Sequence, residues 1–119
     1  MNILATAIAL LSICTAVHAQ PSDLELVGGQ GDHYFFTLSA PWVHDHAYIR
    51  RSAENFCKNK PVCYVHFWEK GTASPKLFPL TDRETAEELG TFQLNRKTGR
   101  HRMLWNCRKF PATPQTRCF

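Results

Sequence analysis

The chain has 119 residues, of which 44% are hydrophobic and 12% aromatic, with five cysteines and a formal net charge of +4. That length suits one globular domain, and the aromatic content excludes a disordered, solvating tail. Seven prolines and six glycines are ordinary usage, so collagen-like and low-complexity classes are excluded as well.

Residues 3 to 17 form an uncharged, mostly apolar run that ends in Val17-His18-Ala19, a small-residue cleavage pattern before Gln20. This segment reads as a secretory signal peptide over residues 1–19, although only Met1-Asn2 precedes the run and neither is basic. A membrane anchor is the rival reading. Fifteen helical residues reach about 22 Å, against a hydrocarbon core of about 30 Å, so no membrane span is expected. Leu11-Ser12-Ile13-Cys14 weakly resembles a lipidation box, but Ile13 stands where that motif wants a small residue. The expected folding unit is a single small domain over residues 20–119, secreted or periplasmic.

Four cysteines then remain: Cys57, Cys63, Cys107 and Cys118. An even number in a small exported chain reads as two disulfides. Zinc binding is disfavoured, because the C-x5-C and C-x10-C spacings are not the short knuckles that wrap a tetrahedral ion. The pairing Cys57 with Cys63 and Cys107 with Cys118 is favoured by position, with the two crossed connectivities left open.

Leu24 to Val27 alternates, the glycine-rich stretch from Gly28 to Asp32 follows, and His33-Tyr34-Phe35-Phe36-Thr37-Leu38 is rich in β-favouring residues. This predicts a hairpin. No helix, Lys or Ser follows the glycines in the manner of a phosphate-binding loop. Ser39-Ala40-Pro41 ends the strand. From about Val43 to Asn59, Ile49, Ala53, Phe56 and Cys57 make one apolar helical stripe, stopped by Asn59-Lys60-Pro61.

Val62 to Trp68 is apolar on both faces, as a central strand of a covered sheet would be, with Cys63, Val65 and Phe67 opposite Tyr64, His66 and Trp68. Gly71 to Leu80 reads as a loop. Thr81-Asp82-Arg83-Glu84 is a capping box opening a helix that runs to Leu89, with Gly90 as its C-terminal stop. Residues 91–95 alternate as a strand, with a continued helix as the alternative. Arg96 to Gly99 forms a turn, Arg100 to Cys107 a returning strand, and the tail is irregular up to the tether at Cys118. The expected fold class is therefore α+β: a predominantly antiparallel sheet of four to five strands with two helices, stapled by two disulfides.

Candidate chemistry is sparse. His44-Asp45-His46 invites a metal reading, but on a helix positions i and i+2 point about 200° apart and no further spaced ligand appears, so no metal and no cofactor is expected. His66 between Tyr64 and Trp68 reads as part of a packed aromatic layer, and Glu69 falls on the opposite strand face.

Charge is the most informative feature. Up to Glu88 the mature chain carries seven Lys or Arg against ten Asp or Glu, a balance of −3; beyond it seven basic residues meet no acidic one, giving +7. Arg96, Lys97, Arg100, His101 and Arg102 concentrate on one hairpin. This points to a noncatalytic exported module that binds a macromolecular partner, a protein or a polyanion, through a basic C-terminal surface. The alternative is a small secreted ribonuclease-like hydrolase using His101 or His66 as acid or base with a nearby Arg.

Overall fold

The computed structural model describes residues 23–119; the candidate signal segment and Cys14 lie outside the described residues. Five strands make one sheet in the order β1-β2-β3-β4-β5: β1 Leu24–Gln30, β2 His33–Leu38, β3 Val62–Glu69, β4 Gly90–Asn95 and β5 Arg100–Trp105. Two helices accompany them, α1 His46–Phe56 and α2 Asp82–Glu87. The architecture is α+β as expected, with the β1-β2, β3-β4 and β4-β5 pairs antiparallel. One pair differs. β2 and β3 run parallel, because α1 fills the connection between them and returns the chain to the starting edge.

The apolar-on-both-faces strand is indeed the central one. On one face, Phe36, Leu38, Cys63, Val65, Phe67, Phe92, Leu94, Met103 and Trp105 pack with Ile49 and Ala53 of α1 to form the main core. On the other face, Phe35, Thr37, His66 and Trp68 are buried beneath the 70–80 connection and α2. Phe78 packs edge-on against Phe35 at 5.1 Å between ring centres, and the Trp68 indole Nε1 donates to the Glu84 carbonyl at 2.7 Å.

α1 is shorter than its apolar stripe suggests. Residues Ala40–Trp42 form a 3-10 turn, and Asp45 accepts a hydrogen bond from the Tyr48 amide at 2.9 Å, so the helix begins at His46. The capping box is present in both directions: Glu84 N donates to Thr81 Oγ1, and Thr81 N donates to Glu84 Oε1. α2 nevertheless ends at Glu87. Gly90 is not its cap but the first residue of β4, where a Cβ would lie 2.7 Å from Met103 Cε and 2.9 Å from Trp105 Cε3. Residues 91–95 are strand, not helix.

The disulfides are Cys57–Cys63 and Cys107–Cys118, with Cα separations of 5.7 and 5.5 Å. The first ties the end of α1 to β3 inside the core. The second holds the tail so that Cys118 pairs with Trp105 alongside β5, and Phe119 N donates to the Trp105 carbonyl at 3.1 Å. At the far side of the sheet, Gly29 N donates to Lys76 O at 3.0 Å and Lys76 Nζ to Val27 O at 2.8 Å, strapping the 70–80 connection to β1. Gly28 permits that approach, since a Cβ there would meet Lys76 Cα at 2.5 Å. Among the described residues, no helix is long and apolar enough to cross a membrane.

Candidate functional sites around β5 and beneath the second sheet face

The five residues of the basic hairpin point in four directions. Arg96 turns back, donating through Nε to Lys60 O at 3.1 Å and through Nη2 to Lys58 O at 3.2 Å, which ties the hairpin to the chain leaving α1. Lys97 and Arg100 are exposed at the turn. Arg102 lies on the second sheet face, where its Nε donates to Gln93 Oε1 at 2.7 Å. His101 lies on the α1 face, with Nε2 3.4 Å from Glu54 Oε1 and its ring edge-on to Phe92. Period-two alternation accounts for this last division, because neighbouring residues of a strand face opposite ways.

Between α1, β5 and the tail lies an open groove made of two adjoining cavities of about 450 and 400 Å³ that share His46, Trp105 and Arg117. The His46 imidazole stacks on the Trp105 indole with ring centres 3.6 Å apart and planes 9° from parallel. Lys109 borders the first cavity; Arg50, His101 and Arg102 border the second. No Asp or Glu lines either. Glu54 sits just outside, paired with Arg50 at 3.1 Å, and Glu87 holds Lys109 at 2.8 Å. Arg117, placed by the second disulfide, has no ion-pair partner among the described residues. Burial, reinforced by neighbouring His44, holds His46 below the ordinary histidine pKa, so it is neutral in this groove at pH 7.

His44-Asp45-His46 thus divides into a ring against Phe110, a helix cap and a ring against Trp105. Among the described residues, no group of three His, Cys, Asp or Glu side chains is arranged to hold a metal ion.

A second constellation lies beneath the other sheet face. Glu88 and His66 are 7% and 8% exposed, and His66 Nδ1 is 2.6 Å from Glu88 Oε1. Thr91 Oγ1 donates to the same carboxylate oxygen. On its other side, His66 Nε2 is 2.8 Å from His33 Nδ1. A carboxylate oxygen accepts, so the donors align in one direction: His66 Nδ1–H to Glu88 Oε1, then His33 Nδ1–H to His66 Nε2. His33 Nε2 is left with a lone pair and no partner among the described residues.

His33 is half-buried, stacked on Tyr64 at 4.8 Å and met edge-on by Phe78 at 4.9 Å. Burial first, and then the adjacent His66, hold it below the usual histidine pKa, with Asp32 and Glu88 acting in the opposite sense. His66 is therefore a buried member of the aromatic layer, as its strand position implies, but both its ring nitrogens are occupied. It cannot itself face a substrate.

Strand register explains the assembly. His66 lies opposite Thr91 across β3-β4, and Glu88 enters from the residues just before β4; His33 lies opposite Tyr64 across the parallel β2-β3 pair. Continued across the sheet, that row reads His33, Tyr64, Gln93, Arg102. The participation of Glu88 and His33 was not visible in the sequence, where both read as ordinary polar residues at element ends. A comparison of the chain with protein-family models, curated proteins and solved structures finds no match in any of the three.

Proposed function

We propose that the protein is an exported, disulfide-bonded module that binds an anionic macromolecule, and that the groove along β5 makes the principal contact. One observation carries this reading: cationic and imidazole side chains from α1, β5 and the tail line adjoining cavities to which no carboxylate contributes. Such a surface attracts phosphate or sulfate groups and steers their approach. Arg117 supplies an unpaired guanidinium, and the stacked His46–Trp105 pair gives a flat apolar floor. Within the hairpin, His101 faces the groove and Arg102 only edges it, its guanidinium held by Gln93 on the other sheet face, whereas Arg96 is engaged with backbone carbonyls. The two disulfides and the apolar run at residues 3 to 17 support an extracytoplasmic setting.

The test is retention of the mature chain on immobilised heparin across a salt gradient. Wild type is expected to bind at low salt, and Arg50→Glu combined with Arg117→Glu to elute much earlier, since each lost charge contact removes about 0.7–0.9 from the slope of log affinity against log salt. Reversal of Lys97 and Arg100 at the turn should have the smaller effect. Flow-through of the folded wild type at low salt, or unchanged elution of the Arg50/Arg117 variant, overturns the proposal.

A further inference from the structure

We infer that Glu88, His66 and His33 form a proton relay whose open end, His33 Nε2, acts as the general base in cleavage of single-stranded RNA laid across the His33-Tyr64-Gln93-Arg102 row. This goes beyond the binding reading and uses a different face of the sheet; Arg102 alone is common to both.

Three features of the structure point there. The relay is directional: a buried carboxylate fixes the tautomer of His66, which in turn takes up His33 Nδ1–H and leaves the lone pair on His33 Nε2, the nitrogen turned away from His66. Burying a carboxylate and an imidazole is costly, and here both are hydrogen-bonded in a chain that ends on one half-buried imidazole, His33. Next to that nitrogen, the Tyr64 ring is half-buried and its hydroxyl has no hydrogen-bond partner among the described residues. A flat ring on a sheet suits an unstacked base, whatever its identity. Farther along the same row, Gln93 and the exposed Arg102 present amide and guanidinium donors suited to phosphate, about 10–14 Å from β2 at the usual strand spacing. That is the reach of the next nucleotides of an extended strand rather than of one small ligand.

The chemistry closes without a metal or cofactor. His33 Nε2 takes the proton of a ribose 2′-hydroxyl, and O2′ attacks the adjacent phosphorus while Tyr64 O–H donates to a nonbridging oxygen. The P–O5′ bond breaks, leaving a 2′,3′-cyclic phosphate. The departing 5′ oxygen takes a proton from water, and the hydroxide formed recovers the proton held on His33. DNA lacks the 2′-hydroxyl and cannot react this way. Glu88 acts through His66 and is a positioning residue, not a catalytic one.

The experiment is incubation of the mature, oxidised protein with a 5′-labelled single-stranded RNA oligonucleotide and, in parallel, with its DNA counterpart. RNA should shorten to products with cyclic phosphate ends and DNA should stay intact. His33→Gln, which keeps polar groups in place, should lower the rate by about 100-fold or more. Glu88→Gln should lower the plateau rate and move the acidic limb of the pH–rate profile to lower pH, because the Glu88 charge raises the His33 pKa; far-UV circular dichroism confirms that each variant is folded. Absence of RNA cleavage by folded wild type, cleavage of DNA at a similar rate, or full activity of His33→Gln overturns the inference. Heparin retention of the same preparations, and its loss in the Arg50/Arg117 variant, decides the binding proposal separately.

Discussion

Replacing Glu88 by alanine should cost about 4 kcal/mol of folding stability. The carboxylate is 7% exposed and its Oε1 accepts from both His66 Nδ1 and Thr91 Oγ1. Truncation orphans two buried donors at about 1–3 kcal/mol each, or about 4 kcal/mol for the two together. Glu88→Gln should be milder. Its carbonyl still accepts, and it loses mainly charge assistance, about 1 kcal/mol per bond or about 2 kcal/mol in all. A domain of this size has about 5–15 kcal/mol in total, so the alanine variant should stay folded but with a clearly lower urea midpoint and an unchanged m-value. Fluorescence of the buried Trp68 and Trp105 reports the transition. Thr91→Val sharpens the test: it should be destabilising by about 1 kcal/mol in wild type and nearly neutral in the Glu88→Ala background, where its acceptor is gone. Equal losses in both backgrounds, or a Glu88→Ala cost below about 0.5 kcal/mol, would refute the linked network.

Two further predictions concern protons and the tail. His33 and His46 both have native pKa values below the ordinary 6.5, chiefly through burial. In acid the unfolded chain binds more protons than the native one, so stability is complete above pH 6.5 and falls as pH drops below it. Tm should therefore decline on acidification from pH 7.5 toward 5, and less steeply in His33→Gln or His46→Gln; a flat profile, or variants with the wild-type slope, would contradict this. Replacing Cys107 and Cys118 by serine opens a loop of sequence separation 11 and should cost about 3 kcal/mol, equivalent to roughly 12–24 °C in Tm on the chain-entropy estimate. It should also weaken heparin retention by releasing Arg117, and unchanged retention would show that the tail does not build the groove.

Much of the fold was legible because its signals are local. The capping box at Thr81, the stripe of Ile49 and Ala53 and the two-sided apolarity of β3 each depend on residues a few positions apart, and each is present. The sites were not local. Glu88 meets His66 across a separation of 22 residues and His33 meets it across 33, both set by strand register. The one available hint was the 39–61 connection, long enough to hold a helix and so to return β3 parallel to β2. That pairing carries His33 to the row of Tyr64. Gly90 shows the opposite failing: a glycine after a helical pattern reads as a cap, whereas tertiary crowding by Met103 and Trp105 is what leaves no room for a side chain.

The fastenings at the two outer strands also bear on how the molecule behaves among other proteins. A free strand edge is a template for the next chain, and long exposed edges invite sticky, sheet-to-sheet growth. Here the Lys76 segment overlies β1 at one end, and Cys118 and Phe119, clamped through the second disulfide, occupy the Trp105 rung at the other. The same covalent bond that positions Arg117 thus shields part of the β5 edge. Reduction of Cys107–Cys118 would loosen that guard, and the chain would acquire an adhesive margin along β5.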